Sequence, residues 1–203
     1  MYFYKLIVKV LSNWLKKVLP HIISENQSAF VQRRLITNNV LVAFEALQTM
    51  DVRMKGKKGY MALKLDMSKA YDRVEWDFLK TILLKIGFAR RWVELLMVCV
   101  RTVTYFILIN GQPHGRIVPS RGIRQEDPLS PYLFILCVEG LSTLLRRAEK
   151  DERLKGLPIA RGGTRINHFF FVDDTLLFYR SSIVEWTRIH EILEIYETTL
   201  GKS

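Results

Sequence analysis

Between His168 and Tyr179 the chain reads Phe-Phe-Phe-Val, then Asp173-Asp174-Thr, then Leu-Leu-Phe. Two carboxylates in the middle of an apolar run constrain the fold more than any other feature of this sequence. Apolar side chains on both sides want burial, whereas a buried carboxylate loses its hydration at a cost of several kcal/mol unless a cation compensates. The segment is satisfied as two strands joined near the acidic pair, with the carboxylates at the tip. Taken alone, an Asp-Asp pair is more often a simple hairpin turn than a site. A second strand ends in the same way. Tyr60 to Asp66 alternates, with Met61, Leu63 and Leu65 on one face and Ala62, Lys64 and Asp66 on the other.

The remaining pattern is mixed. Leu6, Val10, Leu11, Leu15 and Val18 follow helical spacing up to Pro20, which is expected to end that helix. Ser24 to Arg34 reads as loop, and Thr37 or Asn38 as the cap of a helix reaching about Met54. Helices are expected near 75–86 and 89–101, separated at Gly87. Thr102–Asn110 with Asn110-Gly111 reads as a hairpin returning through Arg116-Ile-Val118. Asp127-Pro128 predicts a helix start, with Asp127 as N-cap and Pro128 at the first helical position. A strand over Arg165–Val172, its return over Thr175–Tyr179 and a last helix near 183–198 complete the series. Strands and helices in this order point to an α+β fold with an antiparallel sheet, not to a doubly wound one.

Charge is uneven. The chain of 203 residues carries a net charge of +11. Residues 1–60 hold ten basic and three acidic side chains, 61–120 nine and five, and 121–203 twelve of each. The cationic excess in the first half suits a polyanionic partner, although a solvated basic face explains it equally well. Cys99 and Cys137 both lie in apolar helical runs, so neither a disulfide framework nor a zinc site is expected. No run of 18 apolar residues exists that would span a bilayer. Hard divalent cations take oxygen ligands, and two strands that each deliver a carboxylate can hold two ions roughly 3.5–4 Å apart.

Three segments occur in a fixed order: Leu63-Lys-Leu-Asp-Met-Ser-Lys-Ala-Tyr-Asp72, Gly122-Ile-Arg-Gln-Glu-Asp-Pro-Leu-Ser-Pro131 and Phe170-Phe-Val-Asp-Asp174. They resemble the palm motifs A, B and C of reverse transcriptases, above all those of plant LINE-type (non-LTR) retrotransposons. Ile23-Ser-Glu-Asn-Gln-Ser-Ala-Phe30 and Tyr132-Leu-Phe-Ile-Leu136 strengthen the resemblance.

The resemblance implies a reverse-transcriptase palm, an antiparallel sheet backed by helices. Residues 1–59 would be a partial fingers region and 60–203 the palm, reaching the start of motif D, with the thumb absent. It implies RNA-directed DNA polymerisation with Mg²⁺ (Mn²⁺ as a substitute), an RNA template, a DNA primer, a deoxynucleoside triphosphate, and a nuclear location.

Asp66 and Asp173 would be metal ligands and Asp174 the weaker third carboxylate. Tyr71 would lie under the incoming sugar; without the motif it reads as core packing. Gln125 would contact the nucleotide. Arg124 would assist or be a surface cation. Lys64 would meet template or primer phosphate or be a solvated edge lysine. Arg33, Arg34 and the basic turn 55–58 would face template phosphates.

The family mostly has Gly at the positions of Glu126 and Arg33, Ala at Val172, Asp at Asn38 and Arg at Trp14. These departures keep a second reading open, that of a non-catalytic, basic nucleic-acid-binding remnant or the product of a pseudogene.

Overall fold

The structure, a computed structural model, describes residues 2–53, 59–67, 69–159, 165–172 and 174–200. Asp173 and the basic turn 55–58 lie outside the described residues. Two helices open the chain, α1 (Tyr2–Ile22) and α2 (Ile36–Arg53). They are followed by strand β1 (Tyr60–Asp66) and three helices, α3 (Ala70–Arg73), α4 (Trp76–Ile86) and α5 (Arg90–Arg101). A hairpin comes next, β2 (Tyr105–Ile109) and β3 (Gln112–Ile117), and then the long helix α6 (Ser130–Lys150). The chain continues through two short strands, β4 (Leu157–Pro158) and β5 (Arg165–Ile166), the pair β6 (His168–Phe171) and β7 (Asp174–Arg180), and helix α7 (Ile183–Leu200).

The central sheet is antiparallel throughout, in the order β1-β7-β6. Its faces divide as the alternation in β1 predicts. Leu63, Leu65, Phe170, Leu177 and Tyr179 join the main core, which is built around α6. Phe169 and Phe178 instead join a smaller cluster under α2, with Ala43 and Ala46.

Helix α6 is buried on nearly every side rather than along one stripe: Tyr132, Leu133, Phe134, Ile135, Leu136, Cys137 and Val138 are all covered. A helix that is apolar all round belongs at the centre of a domain. Gly140 on α6 permits a close approach, since a Cβ there would sit 3.1 Å from Ile82 of α4. Among the described residues, no helix is long and apolar enough to cross a membrane.

Three helix boundaries differ from the sequence expectation. Helix α2 begins at Ile36, so Thr37 and Asn38 lie inside its first turn rather than capping it, and Asn38 N–H donates to Leu35 O at 3.0 Å. Pro20 lies inside the last turn of α1, which runs on to Ile22. Proline removes one amide donor, and the carbonyls left at this helix end are taken up by Arg34. Its guanidinium donates to the carbonyls of Pro20, Ile23, Ser24 and Gln27. Helix α6 begins at Ser130 rather than Pro128, and Pro131 is the proline of its first turn. A tight turn precedes it, in which Ser130 N–H donates to Asp127 O at 3.1 Å. The Asn110-Gly111 turn is as predicted: both residues have positive φ, 52° and 81°, as a type I′ hairpin requires.

Candidate active site

The two acidic strand ends meet. In the β1–β7 register Asp66 stands directly opposite Asp174, and Lys64 opposite Leu176. Directly opposed residues of an antiparallel pair share a face, with Cβ atoms about 4.5–5.5 Å apart. Like charges in that position repel, so the pair demands a cation. Lys64, on the same face, supplies one: its Nζ lies 3.0 Å from Asp174 Oδ1. Asp66 is exposed and Asp174 is half-buried, so this end of the sheet opens to solvent.

Among the described residues no group of three or more His, Cys, Asp or Glu comes together. The described part of the site supplies two carboxylates, and Asp173, the other expected ligand, lies outside the described residues. The donor chemistry fits a hard divalent cation, which takes a few carboxylate oxygens and completes its shell with water or phosphate.

The turn that carries the site is strained. Val172 has φ +63°, in the left-handed region. That region is a genuine outlier for a β-branched residue, and such strain concentrates at functional sites.

The segment after β1 returns beside the site. Tyr71 on α3 is half-buried, with its ring stacked on Phe134 of α6 at 4.9 Å and 19°. Its carbonyl accepts from Ile123 N–H at 2.8 Å, and the carbonyl of Val74 accepts from Gly122 N–H at 2.8 Å. Trp76 Nε1 donates to Gly122 O at 2.7 Å. Gly122 has φ +87°, and a Cβ on it would sit 3.1 Å from Asp72 O. Motif A and the loop that leads to motif B are therefore laced together through the backbone, with glycine required at the closest point.

Beyond this lacing, Arg124, Gln125 and Glu126 are exposed. Glu126 has φ +64° and Arg33 has φ +65°. Both occupy the conformation that glycine adopts without cost. Arg33 is exposed. Arg34, expected beside it among the phosphate contacts, turns inward instead and closes the end of α1.

Sequence reasoning missed a buried polar network behind the sheet. His168 is fully buried. Its ring contacts Asn26 (3.0 Å), Ser142 (3.0 Å) and the side chain of Asn167. Burial holds its pKa down at about 3. Glu139 accepts from Ser24 N–H at 3.0 Å and from Arg146 at 2.6 Å, and burial raises its pKa. This network ties the Ile23–Phe30 segment to α6 and β6. Partners so far apart in sequence leave no periodic signal; the only trace is the concentration of polar residues in Ser24–Ser28.

The match to known proteins agrees with this geometry. Residues 1–203 match the model of the reverse transcriptase (RNA-dependent DNA polymerase) family. The chain belongs to that family. It is similar to the Transposon TX1 uncharacterized 149 kDa protein of Xenopus laevis, 31% identical over 193 residues, covering 95% of this chain and 14% of that protein. An uncharacterized mitochondrial protein of Arabidopsis thaliana is 59% identical over 68 residues, 34% of this chain and 56% of its own length. A Pol polyprotein of the type-1 retrotransposable element R2 of Popillia japonica is 27% identical over 125 residues, 62% of this chain and 20% of that protein.

This reverse transcriptase chain thus spans little more than half of one such relative and a fifth or less of the other two. The kinship expected with non-LTR retrotransposon reverse transcriptases is borne out. Telomerase from Candida tropicalis, solved in complex with a fragment of telomeric RNA, has the same fold, with a TM-score of 0.57 at 15% identity over 96% of this chain and 31% of that one. The expected α+β palm fold is borne out as well.

Proposed function

We propose that this chain is the palm and partial fingers of an RNA-directed DNA polymerase, which extends a DNA primer by one deoxynucleotide at a time on an RNA template. The observation that supports this best is the opposition of Asp66 and Asp174 across β1 and β7 at the open end of the sheet.

In this reading Asp66, Asp173 and Asp174 hold Mg²⁺, with Mn²⁺ as a substitute. The bound ions would acidify the primer 3′-hydroxyl and neutralise the charge that develops on the triphosphate. The carboxylates fix where the ions sit, and the rigid antiparallel register fixes the carboxylates. Lys64 holds Asp174 before substrate arrives and meets backbone phosphate afterwards. Tyr71, braced on Phe134, presents its ring edge under the sugar of the incoming nucleotide, where a 2′-hydroxyl would clash. Gln125 and Arg124, raised on the laced loop, meet the nucleotide. Arg33 faces template phosphate. The chain itself does little covalent work; it contributes position and charge.

Primer extension on poly(rA)/oligo(dT) with Mg²⁺ and dTTP tests the reading. The expected result is incorporation by the wild-type chain that is lost in Asp66→Asn and in Asp174→Asn. Incorporation that survives Asp66→Asn, or an inactive wild type, overturns it.

A further inference from the structure

The loop bearing Arg124 and Gln125 is fastened at two places. Upstream it is laced to α3 and α4 through Gly122 and Ile123, as described. Downstream it ends in Asp127, which is only 7% exposed and has both carboxylate oxygens engaged. Oδ1 accepts from Leu129 N–H at 2.9 Å, closing the turn into α6. Oδ2 accepts from Tyr4 Oη at 2.7 Å. Tyr4 lies on the first turn of α1, at the far end of the sequence, and its hydroxyl also lies 3.4 Å from the carbonyl of Cys99 on α5. Burial and the facing carboxylate push the Tyr4 hydroxyl pKa far up, so it stays protonated and remains a donor.

Ile123 and Leu129, at the two ends of the loop, are buried in the main core. Between them Arg124, Gln125 and the left-handed Glu126 are exposed, and a cleft of about 210 Å³, lined by Tyr4, Asp72, Cys99, Arg124, Asp127 and Ser130 among others, opens beside them. The exposed stretch therefore takes its position from the fastenings at its ends. Of these, the Tyr4 to Asp127 bond is a single charge-assisted contact, and such contacts are short, directional and about twice as strong as neutral ones.

We propose that Tyr4 is a positioning residue of the nucleotide site: it acts through Asp127 as a strut from α1 that fixes Arg124 and Gln125. The proposal rests on the polymerase reading only for what Gln125 does with its position. The strut itself is a property of the fold.

The test uses the 203-residue chain and the variants Tyr4→Phe, Asp127→Asn and the double variant. Amide hydrogen exchange reads the strut without any activity. Tyr4→Phe is expected to speed exchange at Gln125–Asp127 about tenfold, while the α6 interior from Phe134 to Leu141 stays unchanged. Dose–response in dTTP on poly(rA)/oligo(dT) reads the consequence. KM for dTTP is expected to rise about tenfold in Tyr4→Phe with kcat within twofold. The double variant is expected to be no worse than Asp127→Asn alone by more than a neutral hydrogen bond contributes, because Asp127→Asn already removes the charge that Tyr4 pairs with.

Unchanged loop exchange in Tyr4→Phe overturns the strut, and so does uniformly faster exchange along α6, which marks general destabilisation. A fall in kcat at constant KM, or additive losses in the double variant, also overturns the positioning role. A wild-type chain that incorporates nothing refutes the polymerase reading, and the strut is then decided by exchange alone.

Discussion

The two faces of the β1-β7-β6 sheet are built from the same strands and do opposite things. On the face toward α6, Phe170, Leu177 and Tyr179 are each 1% exposed or less; the buried His168 has hydrogen-bond partners there, whereas the Thr175 hydroxyl is buried without one. On the face toward α2, Phe178 and Phe169 meet Ala43 and Ala46, and Leu176 and Phe171 pack partly against them. The near end carries the exposed Lys64 and Asp66 beside the half-buried Asp174. One face specifies the fold; the other tolerates a repulsive carboxylate pair because water and a lysine reach it. A register slip of one residue would exchange the two faces, so the closed face also guards the placement of the carboxylates.

The comparison breaks most severely if the closed face is opened. Leu177→Ala leaves a cavity against α6 and is expected to cost about 3–4 kcal/mol of unfolding free energy in a urea titration. Replacing Asp174 by Asn on the open face is expected to change stability by less than about 1 kcal/mol, because relief of the opposing charge is offset by loss of the ion pair with Lys64.

Next in size is Arg34→Ala, which leaves carbonyls at the end of α1 without their donor. A loss of about 2 kcal/mol is expected in the same titration.

Acid sharpens the contrast further. His168 is held neutral in the fold with its pKa depressed to about 3, against an ordinary value near 6.5. The unfolded chain therefore binds a proton there that the folded chain refuses. This contribution is fully present above about pH 6.5 and is lost as pH falls toward 3. Glu139 and Glu149, whose pKa values burial raises, act with the opposite sign. The clean measurement is a difference: His168→Gln should flatten the fall in stability between pH 6.5 and 4 relative to wild type.

The smallest expected effects lie on the exposed loops. Glu126→Gly and Arg33→Gly each remove a side chain from a left-handed conformation. Each should raise stability by about 1 kcal/mol, read as a thermal midpoint increase of a few degrees. Gly122→Ala, which crowds Asp72 O in a similar conformation, should do the reverse.

Much of this was legible in the sequence because it is periodic or local. Strand β1 reads from its alternation, the β2–β3 turn from Asn110-Gly111, and the acidic tip from two carboxylates among phenylalanines and leucines. The end of α1 was not legible, because the group that caps it, Arg34, is fourteen residues beyond Pro20 and acts through the fold. The start of α6 was misplaced for a similar reason: Asp127 divides its oxygens between a local turn and a distant tyrosine, and only the local role has a sequence signature. The left-handed φ of Glu126 is not signalled by the residue itself; only the glycine expected there from the family resemblance points to it.

In the proposed reading, Asp66 and Asp174 face one another across β1 and β7 so as to share a divalent cation. Titrating the isotopically labelled chain with Mn²⁺ and following paramagnetic broadening of backbone amides tests it most directly. The account predicts selective broadening at 64–66 and 174–176 that Mg²⁺ reverses by competition and that Asp66→Asn abolishes. Broadening centred elsewhere, or broadening at the sheet tip that survives Asp66→Asn unchanged, would contradict it.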